Sequence, residues 1–75
     1  MIELVFIVFN DSKLGYSAVE GKYSMMVVGR DRDELISEVK KAVQEYFNND
    51  FLGKIIFREF VDEELFLDEN IVHNN

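Results

Sequence analysis

The run Asp31-Arg32-Asp33-Glu34-Leu35-Ile36-Ser37-Glu38-Val39-Lys40-Lys41-Ala42-Val43-Gln44-Glu45-Tyr46-Phe47 carries the one helical pattern in a chain otherwise made of short β-type segments. Asp31 followed three residues later by Glu34 has the spacing of a capping box, in which the Asp oxygen accepts a free N–H of the first turn. Beyond it, Leu35, Ile36, Val39, Ala42, Val43, Tyr46 and Phe47 recur at helical intervals. At ~100° per residue they fill an arc of about 140°, and Asp33, Glu34, Ser37, Glu38, Lys40, Lys41, Gln44 and Glu45 fill the rest. One side of this helix must be buried, and its aromatic stripe belongs to a core. Asn48-Asn49-Asp50, whose side chains favour turns, should end it.

Upstream lie three strand-like segments. Residues 2–9 are rich in β-branched and aromatic side chains. Asn10-Asp11-Ser12-Lys13-Leu14-Gly15 reads as a polar turn, and Tyr16–Glu20 as a short second strand closed by Gly21-Lys22. Tyr23–Val28 reads as a third strand ending at Gly29. Turns this short favour antiparallel neighbours, hence a three-stranded meander. Downstream, Lys54–Val61 reads as a fourth strand, Leu65-Phe66-Leu67 either continues it or forms a short fifth, and Ile71–Asn75 reads as a frayed tail. The order is β-β-β-α-β. It predicts an α+β domain over residues 1–67, with one helix on one face of an antiparallel sheet, and an acidic, polar tail over residues 68–75.

Alternation splits each strand into two rows. In the first strand the rows are Ile2, Leu4, Phe6, Val8 and Glu3, Val5, Ile7, Phe9. In the third they are Tyr23, Met25, Val27 and Ser24, Met26, Val28. Both rows are mainly apolar in both strands, so these strands leave open which row meets the helix. A single helix covers one face, and a one-sided antiparallel sheet would be polar on the other. A bare apolar face would exceed the few hundred Å² that soluble monomers tolerate. Its cover could be the C-terminal segment, a partner protein or another copy of the chain. With so little chain left over, and a core this small supplying roughly 3–5 kcal/mol, self-association is the expectation. A dimer or dimer of dimers would use Val5, Ile7, Phe9, Met26 and Val28.

Composition removes other answers. The chain has 75 residues, no cysteine, proline or tryptophan, and eight Lys+Arg against fifteen Asp+Glu, a net charge of −7. That length allows one domain and leaves little room for separate cofactor and substrate sites. Without cysteine there is no disulfide framework, thiol nucleophile or Cys-based zinc site. The apolar N-terminal run lacks a basic region and a cleavage site, and is too short to span a membrane, so a soluble cytoplasmic protein is expected. The acidic balance argues against DNA or RNA binding through phosphates. It allows a basic protein partner, or serves simple solubility.

The search for chemistry returns little. His73, the one histidine, sits two residues from the end of the sequence, where a general base would lack a rigid setting. Ser12, Ser17, Ser24 and Ser37 occupy no nucleophile motif, and the glycines form no phosphate loop. Glu59, Asp62, Glu63, Glu64, Asp68 and Glu69 crowd a short segment. Converging carboxylates could hold Mg²⁺ or Mn²⁺ for phosphodiester hydrolysis. Consecutive ones more often form a solvated acidic edge that guards a sheet margin. Arg30 and Arg32 near Lys40-Lys41 are diluted by Asp31, Asp33 and Glu34.

The meander, followed by Val28-Gly29-Arg30-Asp31 and the acidic helix ending in Ala42-Val43, resembles the HicB-like family. Gly15-Tyr16-Ser17-Ala18 matches its turn and second strand, and Phe60-Val61-Asp62-Glu63-Glu64-Leu65 is similar to its last strand. The resemblance implies a partial RNase H-like βββαβ fold. It also implies an antitoxin-type role, binding a small basic mRNA-cleaving toxin, with Glu59, Asp62, Glu63 and Glu64 as an acidic edge facing that partner. The chain departs from the family in lacking a ribbon-helix-helix or helix-turn-helix segment, so DNA binding is not expected. Glu20-Gly21-Lys22-Tyr23 replaces the family's Pro-Gly-Cys-type loop. The sequence thus leads to a non-enzymatic, oligomeric interaction module with no catalytic, metal or cofactor residue. The alternatives are a minimal metal-dependent ribonuclease using the C-terminal carboxylates, or an accessory subunit of a larger complex.

Overall fold

The helix forms where its pattern places it. The computed structural model describes residues 1–59 and Leu67. Within it α1 spans Arg32–Tyr46, with Asp31 extended as its N-cap. Asp31 Oδ1 accepts the Glu34 N–H at 2.8 Å. The reciprocal arm reaches one residue further back, since Glu34 Oε1 accepts the N–H of Arg30 at 2.6 Å. At the other end Asn48 and Asn49 adopt φ of 54° and 64°. That left-handed pair turns the chain out of the helix, and the Asn49 N–H donates to the Gln44 carbonyl at 2.7 Å.

The strands are β1 (Ile2–Asp11), β2 (Gly15–Glu20), β3 (Met25–Gly29) and β4 (Gly53–Glu59). They form one four-stranded sheet ordered β3-β2-β1-β4. β1 pairs antiparallel with β2, from Phe6 opposite Glu20 to Asp11 opposite Gly15, and β2 pairs antiparallel with β3. β4 instead lies parallel to β1, with Ile2 beside Gly53 and Val8 beside Glu59. The expected antiparallel sheet is therefore corrected to a mixed one. The connection explains it: the chain reaches β4 through α1, and a helical crossover returns it in the direction it started. The third strand also begins later than its pattern predicts. Ser24 has φ 61° and belongs to the turn, so regular pairing starts at Met25.

The core lies between α1 and one sheet face. Leu4, Phe6 and Val8 of β1, Ala18 of β2, Met25 and Val27 of β3, and Leu35, Val39 and Val43 of α1 are buried together. Ile55 and Phe57 of β4 pack at its margin, with the Phe57 ring edge-on to Phe6 at 6.1 Å. Close approach of helix and sheet depends on Gly29. A Cβ there would stand 2.6 Å from the Leu35 nitrogen and 2.8 Å from its Cα. Gly15, at φ 94°, supplies the positive backbone angle that starts β2. Tyr23, Tyr46, Phe47 and Phe51 close the far end of the core, ring centroids 5.0–5.3 Å apart between neighbours.

One charge enters the core row. Glu20 is 2% exposed, and its carboxylate accepts the Lys22 and Tyr23 N–H groups, both at 2.9 Å. It shapes the β2–β3 turn from inside. The expected end of the fourth strand beyond Glu59, the 65–67 segment apart from Leu67, and the tail from 68 lie outside the described residues.

Candidate functional site

The structure settles which row meets the helix: Leu4, Phe6 and Val8 face it, and Val5, Ile7 and Phe9 occupy the opposite face. Strand register builds that second face in levels. Ile7 stands level with Val19, which is level with Met26. Phe9 stands level with Ser17, which is level with Val28. Val5 stands level with Ile56 of β4, and Ile7 with Arg58. Met26 is 71% exposed, Val28 61%, Phe9 45% and Val19 39%. Four strands ~4.8 Å apart, over about six residues of length, give a footprint of roughly 400 Å². That footprint, which also takes in Ser17, Lys54 and Arg58, is within the range of the largest patch on an ordinary monomer, a patch that is often functional.

All five residues expected at an oligomer interface, Val5, Ile7, Phe9, Met26 and Val28, fall on this one face. The sequence reading missed Val19 and Ile56. Each lies in its strand's alternation opposite the core row, so the signal was present but β2 and β4 were not split into rows. The face is nearly free of acid. Glu3 lies at one end beside Lys54, Nζ to Oε2 3.9 Å, and Arg58 sits at the β4 margin.

The other expected site residues separate. Glu59 is held by Arg32, whose Nε donates to Oε2 at 3.0 Å with Nη2 on the same oxygen. Asp62, Glu63, Glu64 and His73 lie outside the described residues. Arg30 pairs with Glu34 at 3.0 Å, so the weak basic patch beside the helix start is internally neutralised. That guanidinium and the Arg30 N–H hold the Glu34 carboxyl below its ordinary range. Asp11 is likewise lowered, because its Oδ1 accepts the Lys13 and Leu14 N–H groups at 2.7 and 2.9 Å. Both carboxylates are occupied in shaping local backbone.

Nothing else among the described residues gathers reactive groups. Among the described residues no three His, Cys, Asp or Glu side chains come together as metal ligands. No helix among them is long and apolar enough to cross a membrane. A groove of about 240 Å³ between α1 and β4 is lined by Ile36, Val39, Lys40, Ile55 and Phe57. It offers one ammonium and no base, nucleophile or oxyanion donor pair. The open sheet face is therefore the candidate site, and its chemistry is burial. Comparison with known proteins leaves the reading to these residues, since no protein-family model, no curated protein and no solved structure matches the chain.

Proposed function

We propose that the chain is a non-enzymatic protein-interaction module that self-associates through the open sheet face. The observation that carries this is the continuous apolar surface of Val5, Ile7, Phe9, Val19, Met26, Val28 and Ile56 opposite the helix. A second copy is the occupant that fits. Fifteen acidic residues give the chain a charge of −7, yet the central levels of this face hold no carboxylate, so two copies meet there without bringing acidic groups together. A footprint of roughly 400 Å² is below the ~800 Å² per partner of a standard stable interface, so the proposed association is a weak one.

The fold supports the finer reading in kind. The described elements run β-β-β-α-β, the order that the HicB-like resemblance implies, and we extend the proposal to a partial RNase H-like, antitoxin-type domain. Its partner in that role is a small basic toxin, met by acidic surface outside the apolar face. Light scattering across a concentration series tests the core of the proposal. The expected result is twice the chain mass at tens of micromolar, falling towards one chain on dilution. A single-chain mass throughout overturns it.

A further inference from the structure

Two neighbouring methionines stand in opposite surroundings. Met25 and Met26 follow one another in β3, and alternation puts the first in the core, 8% exposed, and the second on the open face, 71% exposed. The third methionine, Met1, starts the chain and is fully exposed. The chain has neither cysteine nor tryptophan, so these thioethers are its softest nucleophiles and the groups that a peroxide attacks first. Granted the self-association proposed above, on which this rests, we infer that Met26 is a site of peroxide oxidation whose sulfoxide releases the contact between copies.

The step needs only access to sulfur. A lone pair of the Met26 thioether attacks one oxygen of hydrogen peroxide, and the S–O bond forms as the O–O bond breaks. The proton of the attacked oxygen passes to the departing one, which leaves as water; sulfur is oxidised by two electrons and the peroxide reduced by two. Met25 belongs to the buried cluster beneath α1, so its sulfur is reached only when the fold opens. On a single copy the new oxygen of Met26 is hydrated and costs the fold little. In a contact it must leave water. Val19 and Ile7, level with Met26 on its own sheet, have no donor in their side chains, and the other apolar groups of the face supply none. The sulfoxide acceptor is then buried without a partner, once in each copy.

Access and contact are coupled. A second copy seated on the face shields Met26, so peroxide acts on the single chain, and each oxidised chain is withdrawn from the equilibrium. Met26 should therefore oxidise more slowly as protein concentration rises through the range where dimers form. Met1, which lies outside the central levels of the face, should oxidise at one rate throughout.

The native chain and Met26→Leu, which keeps the volume and removes the sulfur, are treated with hydrogen peroxide at several protein concentrations. Peptide mass spectrometry follows oxygen uptake at each methionine, light scattering gives the mass, and thermal melts check the fold. The expected result is uptake at Met26 well ahead of Met25, slowed at high protein concentration, with the fold intact. The Kd of the oxidised chain should rise roughly 30-fold or more, since two acceptors are desolvated in each dimer. Met26→Leu should stay dimeric through the same treatment, and a methionine sulfoxide reductase with a thiol reductant should restore association to the native chain. Equal rates at Met25 and Met26 overturn the site. An unchanged Kd after full oxidation of Met26, or a Met26 rate that ignores dimer formation, overturns the release while self-association stands. Dissociation of oxidised Met26→Leu assigns the effect to another group and overturns the release too. A single-chain mass at every concentration before peroxide overturns the self-association and the release with it, whereas the uptake at Met26 against Met25 still decides the site.

Discussion

Replacing Met26 with lysine should abolish self-association at concentrations where the native chain is dimeric, while leaving the folded monomer almost as stable. Met26 is the second residue of β3, points away from α1 and is 71% exposed. A side chain so exposed contributes little to the monomer, where surface changes stay within about 0.5 kcal/mol. In the dimer it is lost twice, once per copy. Full burial of a methionine is worth about 1.5–3 kcal/mol, and the exposed fraction makes roughly 1–2 kcal/mol of that available at each site. The pair therefore removes about 2–4 kcal/mol, a weakening of roughly 30- to 700-fold in Kd. Sedimentation equilibrium gives the constant, and thermal melts at concentrations where both proteins are monomeric give the stability. An unchanged Kd refutes the placement of Met26 in the contact. A melting point lowered by more than about 5 °C refutes the premise that Met26 stands outside the monomer core.

Other perturbations probe the scaffold and the rival chemistry. Glu20→Ala removes the acceptor of the Lys22 and Tyr23 N–H groups from a nearly closed site; losing about 1–3 kcal/mol, it should lower the melting temperature by roughly 5–20 °C, and an unaltered melt would show that water replaces the carboxylate freely. Gly29→Ala drives a Cβ into the Leu35 backbone and should cost about 1–3 kcal/mol in urea unfolding, whereas a neutral result would mean that α1 can lift from β3 without loss. The Asp11 and Glu34 carboxyls titrate below their ordinary values when folded, so the unfolded chain takes up protons first. Their contribution is complete above the ordinary carboxylate range and is lost as pH falls through it, from about pH 4 downwards. Stability should decline on acidification, less steeply in Glu34→Gln; an identical slope in that variant would count against the Arg30–Glu34 contacts. Purified protein with Mn²⁺ and labelled RNA should produce no cleavage, and cleavage lost in Asp62→Ala with the fold intact would establish the nuclease reading instead.

The helix was legible because its determinants are local. Asp31, Glu34 and the spacing of Leu35, Val39 and Val43 lie within one segment, and the structure uses them as a cap and a buried stripe. The β1–β2–β3 meander was legible for the same reason, since short turns leave few pairing choices. The direction of β4 was not. Lys54–Glu59 encodes alternation, with Ile55 and Phe57 on the core side, but alternation is the same for a parallel or an antiparallel neighbour. The partner is chosen by where α1 delivers the chain, which is a tertiary property. Tyr23-Ser24 misled in the opposite sense. Its composition suits a strand, but Ser24 takes a left-handed conformation that closes the turn around Glu20. Which face was open also exceeded the reach of β1 and β3, whose two rows are both apolar. Ala18 and Ser17 could have decided it, had the buried Glu20 not placed a charge on the core row.

The acidity of the chain and its apolar face act together. An acidic protein that associates with itself must keep charge away from the contact, and here the carboxylates in the open row of β1 lie at its two ends, Glu3 beside Lys54 and Asp11 accepting the Lys13 and Leu14 N–H groups. Helix α1, on the other side of the sheet, carries Asp33, Glu34, Glu38 and Glu45 together with Arg32, Lys40 and Lys41. Copies approaching sheet to sheet through the central levels of the open face bring no carboxylates together. On the proposed reading a second copy is held on the sheet side by burial, and the helix side stays open. Dimerisation through the open face would then leave both copies of α1 facing outward, so a partner that met the helix side would find two sites on each dimer.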